Sequence, residues 1–408
     1  MGKPSGVTVV QSKGTTIRPT GQEHEPYPSS QEEIVSYHYA YSPVLLPGPS
    51  TSGQGMWRYR ALLPLEETAI RYPLPVGNTP LIASTALRKA TQLPQLWLKD
   101  ETKTPTGSNK DRATALVLEH ALRHGITAVS CASTGNVAVS LAIGAAAAGI
   151  NAVIFVPASI SDTKLRLMLL AGATVFRVAE GYEAAFVLSR QAAEVFGWYD
   201  RNTGVNPLTL EAKKTVAFEI WEQLGGRLPD VVVVPVGDGL TLSAQVKGFR
   251  ELIACGVAQR LPRFIGVQAE GCQPLKRAWE NNEPTAARYR EPARTIADGI
   301  AVNTPVGGAL ALKDIRDSGG GFVAVSDQAM LQSIQVLAST AGVLAEPAAA
   351  AALAGLAPAV AAGLIEPHEV VVICVTGSGL KQPEHLVTQN TAFTVRADIE
   401  EIAKAIKL

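Results

Sequence analysis

The stretch LKDETKTPTGSNKDRATALVLEHALRHG, residues 98–125, sets the fold. It begins as the end of an apolar strand and passes through a Thr, Gly and Ser loop. It then becomes a helix whose apolar residues recur at helical spacing and which stops at Gly125, a C-cap signal. The same rhythm recurs along the chain. QLWLKDE (95–101), AVSCAST (128–134), NAVIFVP (151–157), ATVFRVA (173–179), DVVVVPV (230–236), FIGVQAE (264–270), FVAVS (322–326) and EVVVICVTG (369–377) read as buried strands. Their near-continuous Val and Ile content is that of strands covered on both faces. Between them, SDTKLRLMLLAG (161–172), EAKKTVAFEIWEQLGG (211–226) and SDQAMLQSIQVLASTAG (326–342) read as helices, the last capped by Ser326-Asp327. Such alternation predicts an α/β protein of open, twisted, mainly parallel sheets with helices on both faces.

Composition narrows the classes. With 408 residues, 47% of them apolar, the chain can bury a large core in two or three lobes. Lys+Arg and Asp+Glu both number 36, which excludes a whole-protein basic field for nucleic acid. The four cysteines are widely spread and the six histidines form no ligand cluster, so no metal is expected. Gly144, Gly149 and Asn151 interrupt the most apolar run, so no membrane span is expected. No secretory signal is visible, and the expected compartment is the cytoplasm.

Four segments at strand ends carry chemistry, where open α/β sheets gather their ligands. Lys110 stands between the Thr/Gly/Ser loop and a helix starting near Asp111. The helix dipole there opposes an ammonium, which suits an amine nucleophile or Schiff-base lysine. Ser133-Thr134-Gly135-Asn136 brings hydroxyls and free N–H groups together at a second helix start, a cradle for a carboxylate or phosphate. In VVVVPVGDGLTLSAQVKGF (231–249), Gly237 and Gly239 let backbone approach an anion. Leu242 leaves GxGxxG incomplete, which argues against a dinucleotide site. Thr376-Gly377-Ser378-Gly379 offers a hydroxyl to a ligand nitrogen. Read alone, the lysine, the Ser133–Asn136 segment and the Thr376 loop are more readily a surface lysine, an N-cap and a turn. Together they supply the parts a pyridoxal phosphate site requires.

GNTPLI (77–82), KDETKTPTGSNKDR (99–112), STGN (133–136), PVGDGLTLS (235–243), EPAAAAALAGL (346–356) and TGSGLK (376–381) resemble, in order and spacing, the fold-type-II (tryptophan synthase β-like) pyridoxal phosphate enzymes. Within that family the chain is most similar to the threonine synthases, over about residues 57–385. The resemblance implies that Lys110 holds the cofactor covalently and moves protons, and that Asn136 meets the ring hydroxyl. It implies that Ser133, Thr134 and Gly135 hold the substrate carboxylate. Gly237, Asp238, Gly239, Leu240 and Thr241 would hold the cofactor phosphate, and Thr376 would face the ring nitrogen. Asn109, Asn202, Thr203 and Thr209 are further candidates on the substrate side.

Three departures bear on the substrate. Asn109 replaces the family's aromatic residue beside the lysine. Asp238 and Leu240 stand where Asn and Gly are common, and an Asp fits there if its side chain turns away to cap backbone. NPLTLEAKKT (206–215) has Thr209 where threonine synthases carry the Arg that grips the substrate phosphate, with Asn202, Thr203, Lys164 or Arg166 as compensating candidates. The implied activity is that of a threonine synthase-like lyase, releasing phosphate from O-phosphohomoserine and adding water. The alternatives are elimination or replacement on another activated amino acid, dehydratase-like or cysteate synthase-like, and a non-catalytic metabolite-binding paralogue. The expected organisation is an N-terminal arm (1–56), a large cofactor lobe (57–97 with 206–390), a small mobile lobe (98–205) and a tail (391–408). No cysteine precedes Cys131, so the arm is expected to do without zinc. GMWRYRALLPL (55–65) resembles a packing arm and, with family precedent, implies a homodimer.

Overall fold

The computed structural model describes residues 8–11, 16–17, 34–47, 54–65, 68–133, 135–287, 289, 292–386, 388 and 392–405. Its strands are β1 (Thr8–Gln11), β2 (Thr16–Ile17), β3 (Val35–His38), β4 (Leu81–Ile82), β5 (Leu96–Asp100), β6 (Ala128–Ala132), β7 (Asn151–Pro157), β8 (Thr174–Val178), β9 (Tyr199–Asp200), β10 (Val231–Pro235), β11 (Arg263–Ala269), β12 (Gly321–Val325) and β13 (Val371–Val375). The helices, in chain order, are α1 (Thr85–Thr91), α2 (Lys110–Arg123), α3 (Asn136–Ala148), α4 (Asp162–Leu170), α5 (Tyr182–Phe196), α6 (Leu208–Lys213), α7 (Thr215–Gln223), α8 (Leu240–Ala254), α9 (Pro274–Glu280), α10 (Gly308–Asp317), α11 (Asp327–Ala341), α12 (Pro347–Ala354), α13 (Leu356–Ala361) and α14 (Ile399–Ala405).

Two sheets carry the site. The larger has the order β12-β11-β10-β13-β5-β4, parallel except for the short edge strand β4. The smaller, β8-β7-β6-β9, is wholly parallel. A three-stranded antiparallel sheet, β2-β1-β3, lies near the N-terminus. All eight predicted strands form, but β8, read as buried, is an edge strand with only Val178 of its five residues buried. In β10, alternate residues feed opposite faces. Val231 and Val233 pack with α11 and α12, whereas Val232 and Val234 pack with α7 and α8. The Ala-rich α12 can lie close to the sheet because its side chains are small, and a methyl on Gly355 would fall 2.5 Å from Val267. No helix among the described residues is long and apolar enough to cross a membrane.

Some expectations need revision. The helix read over 211–226 is two helices meeting at Lys214, where α8 crosses so closely that a methyl on Gly248 would fall 2.5 Å from the Lys214 carbonyl oxygen. The lobe boundary expected at 97/98 falls inside β5, which belongs wholly to the larger sheet. Met56, Trp57, Tyr59 and Leu62 of the GMWRYRALLPL segment are buried against this same chain. They therefore carry no argument for a second subunit. Most of the arm expected at 1–56 lies outside the described residues.

Two buried ionic networks fix the helices that bear the site. Arg112, one turn into α2, donates to both oxygens of Glu101 (2.7 Å each) and of Glu219 (2.7 and 2.8 Å), and Lys99 adds a 2.7 Å bond to Glu219. Burial works against the Glu219 charge, but Arg112 and Lys99 hold its carboxyl well below the ordinary range. Around α6 and α8, Lys214 bridges Glu211 (2.5 Å) and Glu251, while the Tyr39 hydroxyl donates to Glu211 at 2.9 Å. With every charge paired, burial of these groups is tolerable, and removal of one partner is not.

Candidate active site

The carboxyl ends of β5, β6, β10 and β13 converge on a cavity of about 1010 Å³. Among its lining residues are Asn109, Lys110, Ser133, Gly135, Asn136, Asn202, Thr203, Gly237, Asp238, Thr241 and Thr376. Thr134 lies outside the described residues. Three candidates fall away from the wall: Gly239, packed against Ala311 and Gly307, and also Thr209 and Leu240. Thr209 is buried in α6 with its hydroxyl donating to the Asn206 carbonyl at 2.8 Å, as a helix-start Thr readily does. Leu240 turns its side chain into the core with Leu210 and Ala244.

Lys110 begins α2, with the acidic Asp111 beside it in the first turn. Asp111 accepts from the Thr106 amide (2.7 Å) and hydroxyl (2.6 Å), which closes the loop before the lysine. This loop is zipped to the end of β13: the Asn109 amide donates to Thr376 O (2.9 Å), Ser378 N to Gly107 O (2.8 Å) and Lys381 Nζ to the Thr106 and Gly107 carbonyls. Gly107 has φ +70° and a methyl there would meet Ser378, so glycine is required. Burial pushes the Lys110 ammonium below the ordinary lysine range. Asp238 and Glu346 oppose that shift and Arg201 adds to it.

Asp238 accepts the Leu240 amide at 2.9 Å and so caps α8, as expected of a side chain turned to backbone. Its neighbours Gly237 and Gly239 are close to other backbone. A methyl on Gly239 would meet Gly307 O at 2.9 Å, and one on Gly237 would meet Gly299 O at 3.1 Å. Asn202 gives both amide atoms to the smaller sheet and its helices, accepting from Ala132 N (2.8 Å) and donating to Ser189 (3.0 Å). Thr203 accepts from the fully buried Arg201 at 3.2 Å.

The structure adds residues that sequence reasoning passes over. Glu346, buried at the head of α12, receives the Asn136 amide nitrogen on both oxygens (2.7 and 2.9 Å), leaving Asn136 Oδ1 buried without a partner. Burial raises the Glu346 carboxyl above its ordinary range, against Lys381, Asn136 and Lys164. A methyl on Gly377 would fall 2.1 Å from Glu346 Oε1, so that glycine makes room for the carboxylate. Asp298 lines the cavity and pairs with Lys164. Lys213 is buried with no hydrogen-bond partner on its Nζ. The one signal available for Glu346 is its place in EPAAAAALAGL, which by itself reads as a helix start.

A half-buried amine facing the cavity, glycine-lined backbone at the start of α8 and an unpartnered amide oxygen are what a cofactor with an aldehyde, a phosphate and a ring hydroxyl requires. The family described as "Pyridoxal-phosphate dependent enzyme" matches residues 72–377. The chain belongs to that family. Its cofactor is pyridoxal 5'-phosphate, and it is a pyridoxal phosphate-dependent lyase close to threonine synthase. The threonine synthase of Methanocaldococcus jannaschii is 34% identical over 86% of this chain and 87% of its own length. That of Methanosarcina acetivorans is 36% identical over 91% of each, and that of Mycobacterium bovis is 37% identical over 80% and 88%. Among solved structures, a fungal L-serine ammonia-lyase from Rhizomucor miehei superposes with a TM-score of 0.65 at 23% identity, covering 76% of this chain and 96% of that one. Diaminopropionate ammonia lyase from Escherichia coli (TM-score 0.66, 17% identity, 84% and 91% covered) shares the fold as well.

Proposed function

We propose that this enzyme releases phosphate from O-phosphohomoserine and adds water to give threonine. The observation that carries this reading is the similarity to three threonine synthases over 80–91% of the chain. Bound pyridoxal phosphate supplies an electron sink for charge developing beside the substrate amine. The chain's own groups do the rest. Lys110 carries the cofactor and, as a desolvated amine, takes the proton from the substrate Cα and exchanges one at Cβ. Ser133, Thr134 and Gly135 hold the substrate carboxylate at the start of α3. The first turn of α8, with Gly237, Gly239 and Thr241, holds the cofactor phosphate, and Thr376 faces the ring nitrogen. Asn136 turns toward the ring hydroxyl. The smaller sheet with its helices moves against the larger one and excludes water. The enzyme works as a cytoplasmic homodimer.

One observation favours a second reading. Thr209 stands off the cavity with its hydroxyl already bonded, so it does not take the place of a phosphate-gripping Arg. Elimination or replacement on another activated amino acid would need no such grip. The purified enzyme with pyridoxal phosphate is given O-phosphohomoserine, L-threonine or L-serine, and phosphate and ammonia are measured. Stoichiometric phosphate and threonine support the first reading. Ammonia from threonine or serine, without phosphate release from O-phosphohomoserine, would replace it with the second.

A further inference from the structure

We infer that Lys164 is the cation that receives the substrate's anionic group, and that Asp298 holds its place until the substrate arrives. The inference rests on the reading of the cavity as the substrate site.

Lys164 sits on α4, beside the smaller sheet, and is 2% exposed. Its Nζ lies next to the cradle at the start of α3, since a methyl placed on Gly135 would be 3.9 Å from it. Its ion-pair partner is Asp298, in the short turn Asp298–Ile300. That turn packs on the head of α12, where a methyl on Gly299 would meet Ala348 at 3.1 Å. The pair therefore joins an element of one sheet to an element of the other, with Asp298 on the cavity wall and Lys164 behind it.

The two partners differ in exposure. The Asp298 side chain is 37% exposed and lines the cavity, whereas the lysine behind it is closed off. A buried ammonium needs an anion, because desolvation without one is expensive. Here the anion that satisfies it is the replaceable one. Glu346, the other carboxylate nearby, is held by Asn136 and by its place under Gly377. An incoming carboxylate or phosphate can therefore take Asp298's place on Lys164 while the ammonium stays neutralised throughout. Asp298 swings to water, and the bridge between the two sheets is exchanged for one through the ligand. This supplies the charge that Thr209 lacks, from a different helix.

Carboxylate and phosphate share this chemistry, and two small probes separate them. Acetate and inorganic phosphate are titrated calorimetrically into the holoenzyme, whose own phosphate site the cofactor fills. Asp298→Asn is expected to tighten at least one probe by about tenfold or more, since a charged hydrogen bond no longer has to be displaced. Tightening of acetate alone assigns Lys164 to the substrate carboxylate, and tightening of phosphate alone assigns it to the leaving group. Lys164→Met is expected to abolish the binding. Unchanged affinity for both probes in Asp298→Asn, or binding that survives in a folded Lys164→Met, would overturn the inference. Because no turnover is measured, the outcome stands apart from whether O-phosphohomoserine is the substrate.

Discussion

Replacing Lys213 by Met should make the cofactor-free protein more stable, by an amount that depends on pH. Lys213 is buried in α6 and its Nζ has no hydrogen-bond partner. Burial pushes the ammonium from 10.5 down to about 7, and Lys110 and Arg201 act in the same direction against Asp238. A displacement of that size corresponds to a penalty of about 5 kcal/mol on the charged form. Below pH 7 the lysine is charged in both the folded and the unfolded chain, and the whole penalty weighs on the fold. Between pH 7 and 10.5 the folded chain has released a proton that the unfolded chain keeps, so stability climbs with pH. Above 10.5 neither state is charged and the penalty is gone. A methionine fills the same channel with a flexible apolar chain. The variant should therefore gain up to about 5 kcal/mol at about pH 6, and the gain should shrink steadily toward about pH 10. Urea unfolding midpoints of parent and variant across that range measure it. Parallel pH profiles, or a variant less stable than the parent at the acid end, would refute the reasoning.

Other outcomes follow from the same geometry. Arg112→Met strands Glu101 and Glu219 and should cost about 3–5 kcal/mol, seen as a lower thermal midpoint. Because the Glu219 carboxyl is held below 4.5, its contribution is complete above that pH and lost on acidification, so the variant should show a flatter acid limb than the parent. Gly377→Ala drives a methyl into Glu346 and should weaken pyridoxal phosphate binding about tenfold or more, read by cofactor titration followed by absorbance; unaltered affinity would mean that the loop yields freely. Borohydride reduction should fix the cofactor's mass onto the parent protein but not onto Lys110→Ala, and a modified variant would move the attachment elsewhere.

What the sequence discloses depends on how locally a feature is determined. β10 is legible because four consecutive valines have one outcome in a two-sided sheet, and all five of its residues are buried. β4 and β9 are two residues each, too short to hold any period, and only their partners across the sheet define them. β8 is legible from its Val and Phe content, yet it sits at a sheet edge with Phe176 exposed. The glycine loops are legible because a backbone that must approach something closely leaves a trace in the residues themselves. Glu346 leaves only its place at a helix start, since its partner Asn136 is 210 positions away and nothing in EPAAAAALAGL requires the pairing.

Lys213 and Lys214 show the limit most sharply. They are adjacent and chemically identical, and both are buried. One residue along a helix is a turn of about 100°, so they face different elements. Lys214 reaches Glu211 and Glu251 and completes a network that fixes α8. Lys213 reaches the neighbourhood of Lys110 and Asp238 and finds no partner. Helical phase relative to α2 and α8 decides which lysine is structural and which is strained. That phase is a property of the assembled fold, so no reading of the two letters could separate them.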